Sequence, residues 1–318
     1  MEVLVIGVSS IVTRRVLPAL AALDDVEKIH LASRRTLSAP DSIPAEKRGR
    51  VIQGYGRALT EIIPCLVYLS LPNSLHAEWA SKALDAGFHV IVDKPAFISL
   101  RETEALLQLA KSKKLLLGEA TVWNFHPQVE AINKFLCEEG VRVTRLSATF
   151  SFPPLQPSNF RCCPELGGGS LLDLGPYAAS CSRVFLGEPP HEVVCRVHTR
   201  AETSAVDTSF SMLASYQSGK SMVGQFGFNT EYHNSVSLLG PGLFIELDRA
   251  FTIPGDYTNH ITIRHDSHVS TLTIPPADSF RIFLRLVLDS IAKASWPSIS
   301  ESILQDAQFR YHMTTCSS

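Results

Sequence analysis

Two periodicities divide the chain. Up to residue 122, short apolar runs alternate with stretches whose apolar positions recur every three to four residues. Residues 2–7 read as a strand, 10–22 as a helix and 28–33 as a second strand. Residues 66–70 predict another strand, followed by a helix from Asn73 or Ser74 to Ala86 and by the β-branched run Val90-Ile91-Val92. Ser99 and Glu102 have capping-box spacing and open a helix to about Lys113, and residues 115–119 close the series. Strands alternating with helices imply a parallel, doubly wound α/β sheet.

Near Asn124-Phe125-His126-Pro127 the rhythm changes. From about Val141 the period is two: Phe210, Met212 and Ala214 alternate with Ser209, Ser211, Leu213 and Ser215. Further strands are expected at 222–228, 235–239, 243–247, 260–265 and 269–274, and helices at 278–293 and 300–312. This second part predicts an α+β domain with a mostly antiparallel open sheet. The expected domains are 1–122 and 123–297, with a C-terminal helix, 298–312, packing back on the first.

Composition narrows the classes of function. With 318 residues the chain suits two cores, and 45% hydrophobic residues are ordinary for a globular protein. A net charge of −2 with scattered Lys and Arg offers no field for nucleic acid or an acidic membrane. No run reaches the roughly 18 apolar residues of a membrane span, so a cytoplasmic protein is expected. Seven cysteines (65, 137, 162, 163, 181, 195, 316) lack C-x-x-C spacing, and neither a metal site nor a structural disulfide is expected.

Two motifs carry chemistry. Asp93-Lys94-Pro95 follows the apolar run, and a lysine at the carboxyl end of a buried parallel strand stands where open α/β sheets bind ligands. Pro95 biases Lys94 towards an extended backbone. The second motif is Gly167-Gly168-Gly169-Ser170-Leu171-Leu172-Asp173-Leu174-Gly175-Pro176-Tyr177, a glycine hinge entering a helix. Ser170 is the expected N-cap, and Asp173 and Tyr177, four apart, share one helical face.

Together, and in this order, the motifs resemble those of the Gfo/Idh/MocA oxidoreductases, in which an E/D-K-P lysine meets a G-G-G-x-x-x-D-x-G-x-[H/Y] helix. The likeness covers nearly the whole chain. It implies a Rossmann-type first domain binding a nicotinamide cofactor, and a second domain for substrate binding and for homodimer or homotetramer formation through the sheet's free face.

Within that resemblance the nucleotide turn is Gly7-Val8-Ser9-Ser10-Ile11-Val12, which keeps only the first glycine of G-x-G-x-x-G. Gly7, Ser9, Ser10 and Ile11 are expected at the pyrophosphate, with Ser9 still small enough to admit a phosphate to the helix N-terminus. The second strand ends Ser33-Arg34-Arg35, with no acid for a ribose 2′-hydroxyl; a hydroxyl and two guanidinium groups suit a 2′-phosphate, hence NADP(H). Leu71-Pro72-Asn73-Ser74-Leu75-His76 resembles the family's P-N-x-x-H segment beside the nicotinamide, with His76 read as structural. Asp93 and Glu119 correspond to further cofactor-side positions.

Reducing a ketone requires a hydride, a proton for the forming alkoxide and stabilisation of its charge. Lys94 and Tyr177 suit the last two needs, and the sequence leaves open which delivers the proton. Asp173 is expected to orient groups or bind a substrate hydroxyl, and His126 lies on the substrate side. Arg161 is read either as binding a diphosphate or as pairing with Glu165. The resemblance is strongest to bacterial nucleotide-sugar C-3 ketoreductases, implying NADPH-dependent reduction of a dTDP-linked keto-deoxysugar. The alternatives are an NADP-dependent dehydrogenase of free sugars or trans-dihydrodiols, and a non-catalytic nucleotide-binding regulator.

Overall fold

The computed structural model describes residues 1–315 except Leu37 and Thr203; Cys316 of the cysteine set lies outside the described residues. The chain divides into two compact units, Met1–Ala120 with Phe280–Leu304, and Thr121–Ser279 with the C-terminal segment from Gln305.

The first unit is built on a six-stranded parallel sheet of order β3-β2-β1-β4-β5-β6. Its strands are β1 (Glu2–Ile6), β2 (Lys28–Ser33), β3 (Arg48–Gln53), β4 (Leu66–Leu69), β5 (His89–Val92) and β6 (Leu117–Glu119). The central strands are fully buried, which is why they read as apolar runs instead of alternating. After β1 the chain turns helical from Ser10, passes through a π stretch, Val12–Val16, and continues as α1 (Leu17–Ala21). Helices α2 (Tyr55–Glu61), α3 (His76–Asp85) and α4 (Leu100–Lys113) follow, the last opened by the expected Ser99–Glu102 capping box. Strand β3 and helix α2 escape the hydrophobic pattern. An edge strand with Arg48 and Arg50 exposed has no apolar run to betray it.

The second unit holds α5 (Pro127–Glu138) and an eight-stranded sheet of order β14-β13-β12-β11-β7-β10-β9-β8. These strands are β7 (Arg145–Ser151), β8 (Glu192–Arg200), β9 (Asp207–Ser215), β10 (Ser221–Gly227), β11 (His233–Gly240), β12 (Leu243–Asp248), β13 (Asn259–His265) and β14 (His268–Ile274). Every ladder is antiparallel except β7–β10. Helix α6 (Ser170–Leu186) lies on one face, where Leu174, Ala178 and Phe185 join Phe150, Phe210, Met212 and Val236 in a continuous core.

Helix α7 (Ser279–Ala292), expected in the second domain, groups almost entirely with the first unit. Its buried residues Phe283, Leu284, Val287 and Leu288 recur at helical spacing, and that spacing marks a buried face without saying which sheet it covers. Helix α8 (Pro297–Thr315) belongs to both units, its residues up to Leu304 to the first and those from Gln305 to the second. No helix among the described residues is long and apolar enough to cross a membrane.

Candidate active site

The first unit carries the motif lysine and the nucleotide turns. Gly7 has φ +87°, and a Cβ there would stand 2.1 Å from the Ser70 carbonyl oxygen, so backbone conformation and close approach both demand glycine. Ser9 Oγ accepts the N–H of Val12 at 3.2 Å and so caps the incoming helix. The same hydroxyl lies 2.8 Å from Ser70 Oγ, which in turn donates to Asp93 Oδ2. Because Ser70 gives its proton to the carboxylate, Ser9 must donate to Ser70. The residue replacing the second glycine thus ties the phosphate turn to the loop holding Lys94, and one of the free N–H groups expected for phosphate is already capped.

Asp93 also accepts from Tyr68 Oη at 2.5 Å, and burial followed by the Asp93 charge pushes the Tyr68 phenol well above its ordinary value, leaving it a donor. The Lys94–Pro95 bond is cis. Just beyond it, Glu119 Oε2 accepts the N–H of Ala96 at 2.6 Å. His76 is fully buried, with Nδ1 2.9 Å from the Pro95 carbonyl and Nε2 2.8 Å from that of Leu71. His76 thus stands between the loops after β4 and β5, its one imidazole N–H available to either carbonyl according to tautomer, and its side chain leaves no surface for a cofactor. Asp93 and Glu119 likewise make bonds that fix the loop around Lys94. Asn73 and Leu71 are both buried.

At the end of β2, Ser33 Oγ accepts the N–H of Arg35 at 3.1 Å, folding the strand end into a turn. Arg34 and Arg35 are exposed and form no ion pair among the described residues. A hydroxyl-nucleated turn bearing two unneutralised guanidinium groups fits the 2′-phosphate of NADP.

The second unit carries Tyr177. Gly169 (φ +110°), not Ser170, occupies the N-cap of α6, and a Cβ on it would lie 2.3 Å from Asp207 Oδ1. The cap comes instead from Asp207, whose Oδ2 accepts both Ser170 Oγ and the N–H of Leu171 at 2.6 Å. A carboxylate at a helix N-terminus is also favoured by the positive end of the helix dipole. Asp207 was invisible to local reading because it lies 37 residues beyond Ser170, at the start of β9; its only trace is a charge opening an otherwise neutral alternating strand.

One turn into α6, Asp173 is buried and its Oδ1 lies 2.8 Å from Arg161 Nε. Arg161 thus pairs with Asp173, and the Glu165 carboxylate accepts from Cys163 Sγ instead. Asn159 Oδ1 accepts the N–H of Arg161, and the Arg161 carbonyl accepts that of Gly169, so the arginine segment and the glycine turn are laced into one piece. Tyr177 is half-buried, its ring centroid 5.0 Å from that of Phe150 and 5.1 Å from that of Phe251. His126 is buried, and its Nδ1 accepts the N–H of Gln128 to cap α5. Burial lowers its pKa from 6.5 to about 4, so it stays neutral, and its position is that of a cap enclosed by protein, not of a surface open to substrate.

The structure thus gathers Gly7, Ser9, Leu71, Pro72, Asn73, His76, Asp93, Lys94 and Glu119 around the strand ends of one unit, and Arg161, Asp173 and Tyr177 around the α6 entry of the other. Two family models fit these halves. One described as the oxidoreductase family, NAD-binding Rossmann fold, matches residues 1–121, and the GFO/IDH/MocA C-terminal domain matches 140–255. A dTDP-3,4-didehydro-2,6-dideoxy-α-D-glucose 3-reductase of Saccharopolyspora spinosa is 34% identical over 87% of this chain and 83% of its own. A D-xylose 1-dehydrogenase (NADP(+)) of Haloferax volcanii is 32% identical over 87% and 85%. Among solved structures, the 3-ketoreductase KijD10 of Actinomadura kijaniata, in complex with NADP and TDP-benzene, superposes with a TM-score of 0.90 at 29% identity, covering 100% of this chain and 98% of that one. With both units matched and such relatives aligned over more than four-fifths of their length, this chain belongs to the Gfo/Idh/MocA oxidoreductase family.

Proposed function

We propose that the protein is an NADPH-dependent ketoreductase acting on a nucleotide-linked deoxysugar, at the C-3 carbonyl of a dTDP-sugar. The observation that carries the reading is the similarity, over most of the chain, to dTDP-sugar 3-reductases of Saccharopolyspora spinosa, Actinomadura kijaniata and Streptomyces antibioticus, combined with the presence of both Lys94 and Tyr177 in their motifs. Ser33, Arg34 and Arg35 would hold the 2′-phosphate, and the N–H groups of Ser10 and Ile11 the pyrophosphate. The bound nicotinamide supplies the hydride. Lys94 stabilises negative charge on the substrate oxygen, and the Tyr177 hydroxyl supplies the proton. Asp173, charge-paired with Arg161, orients the helix face that bears Tyr177. The ring contacts with Phe150 and Phe251 restrict where that phenol can point.

A panel of keto-sugar nucleotides and free sugars, assayed with NADPH and in reverse with NADP, tests this. Turnover of a dTDP-linked 3-keto-deoxysugar well above that of free sugars is expected. Lys94→Ala and Tyr177→Phe should each lower kcat by about 10²-fold or more with little change in NADPH affinity, and the double variant should be less than additive. Oxidation of free pentoses with no nucleotide-sugar activity would favour a sugar dehydrogenase, the reading that the Haloferax relative keeps in play.

A further inference from the structure

Arg161, the arginine that the sequence offers for a diphosphate, is held by Asp173, and Arg183 is held by Asp306 through Nε at 2.8 Å. Arg249, directly after β12, is different. Its guanidinium lies 5.7 Å from the ring centroid of Tyr232 and 5.4 Å from that of Tyr257. No carboxylate or hydrogen-bond acceptor engages it among the described residues. Its backbone has φ +54°, a conformation that costs a residue with a side chain free energy.

Both tyrosines are open to solvent, Tyr232 43% and Tyr257 38% exposed. Tyr232 is nonetheless fixed: its hydroxyl lies 2.7 Å from Thr252 Oγ1 and accepts from Asn234 Nδ2 at 3.1 Å. Asn234 is buried, and its Oδ1 accepts the N–H of Phe251 at 2.9 Å. The shelf also stands beside the chemistry. The Tyr232 ring is 6.3 Å from Phe150, and Phe150 is 5.0 Å from Tyr177. Strand register agrees, since His233 pairs with Ser151 and Ser235 with Asp248, placing Tyr232 and Arg249 at the sheet end where β7 delivers Phe150.

From this arrangement we infer that Arg249, flanked by Tyr232 and Tyr257, is the anchor for the diphosphate of a nucleoside-diphosphate sugar. A guanidinium lying against aromatic faces keeps its N–H edge for a bidentate grip on phosphate oxygens, and the cation–π contacts hold it ready. The exposed tyrosine faces offer stacking surface to the attached nucleoside. The shelf grips the part of the substrate that does not react, so it sets affinity and selectivity for the nucleotide form.

The inference rests on a nucleotide-linked substrate, and the experiment separates the two. Binding of dTDP and of inorganic pyrophosphate to the NADPH-loaded enzyme is measured by calorimetry for wild type, Arg249→Lys and Arg249→Gly. Glycine adopts the positive φ freely, and lysine keeps the charge but loses the fork. Both variants should bind dTDP at least about tenfold more weakly. KM for the dTDP-sugar should rise by a similar factor, kcat should change far less, and NADPH affinity should hold. Wild-type dTDP affinity in both variants overturns the anchor while leaving the proposed activity standing. A wild-type enzyme that reduces only free keto-sugars and binds no dTDP overturns both.

Discussion

Arg34 and Arg35 stand exposed at the end of β2 with no carboxylate partner among the described residues, whereas Arg161 and Arg183 are each matched to a buried acid. That difference, invisible in composition, decides which arginines are available to a phosphate. NADPH should bind at least about tenfold tighter than NADH, roughly 1.4 kcal/mol. Arg34→Ala should shrink the preference, and equal dissociation constants for the two cofactors in the wild type, measured by fluorescence titration at moderate salt, would remove the 2′-phosphate reading. Residue-scale features fixed by the backbone were the most legible. Gly7 and Gly169 both have positive φ and both abut an oxygen, and each sits within a recognisable motif. The pairing of Arg161 was not legible, because Glu165 and Asp173 are both close in sequence and only the geometry of the glycine turn selects between them.

At the scale of elements, α6 depends on a residue from another strand. Its first turn is capped by the Asp207 carboxylate, and Gly169 leaves the room that carboxylate fills. Asp207→Ala should lower stability by about 1–2 kcal/mol in urea unfolding, and Asp207→Asn, which keeps an acceptor for the Leu171 N–H, by less. Both should also lower kcat, since the capped turn precedes Asp173 and Tyr177 on the same helix. An unchanged unfolding midpoint in Asp207→Ala would show that the cap carries no weight. In the first unit the corresponding device is the chain Ser9–Ser70–Asp93, in which side-chain hydroxyls join three loops at the strand ends. Elements with strong periodicity or a capping box were legible, α4 and β9 most clearly. The edge pair β3 and α2 was not, for it is half-exposed and its apolar positions are too few to set a period.

Across the whole chain, the face of the eight-stranded sheet away from α6 carries a row fixed by register. Val194 stands beside Leu213, and Leu213 beside Val223. They are 52%, 48% and 47% exposed. A groove of about 490 Å³ lies among them with Ser147, Arg196 and Gln225. Adjacent aliphatic side chains left in water favour association, so a homodimer or homotetramer burying this row is expected. Light scattering at micromolar concentration should give a multiple of the 34.9 kDa chain mass, and Leu213→Glu should shift it towards the monomer. A wild-type monomer would refute the association.

The sequence alone determined the two kinds of sheet, the order of most elements, and the lysine and tyrosine motifs. Each of these is written within a few residues, as a period of two or of 3.6, a capping box, or a backbone position that only glycine fits. The tertiary structure decided what lies farther apart along the chain. It assigned α7 to the first unit, enclosed His126 as a cap, gave Asp173 to Arg161, and brought Asp207 to the start of α6. It also set Arg249 between two tyrosines from separate loops. The reason is physical: amphipathic spacing specifies that a face is buried or a charge is present, but strand register and helix docking choose the partner that meets it.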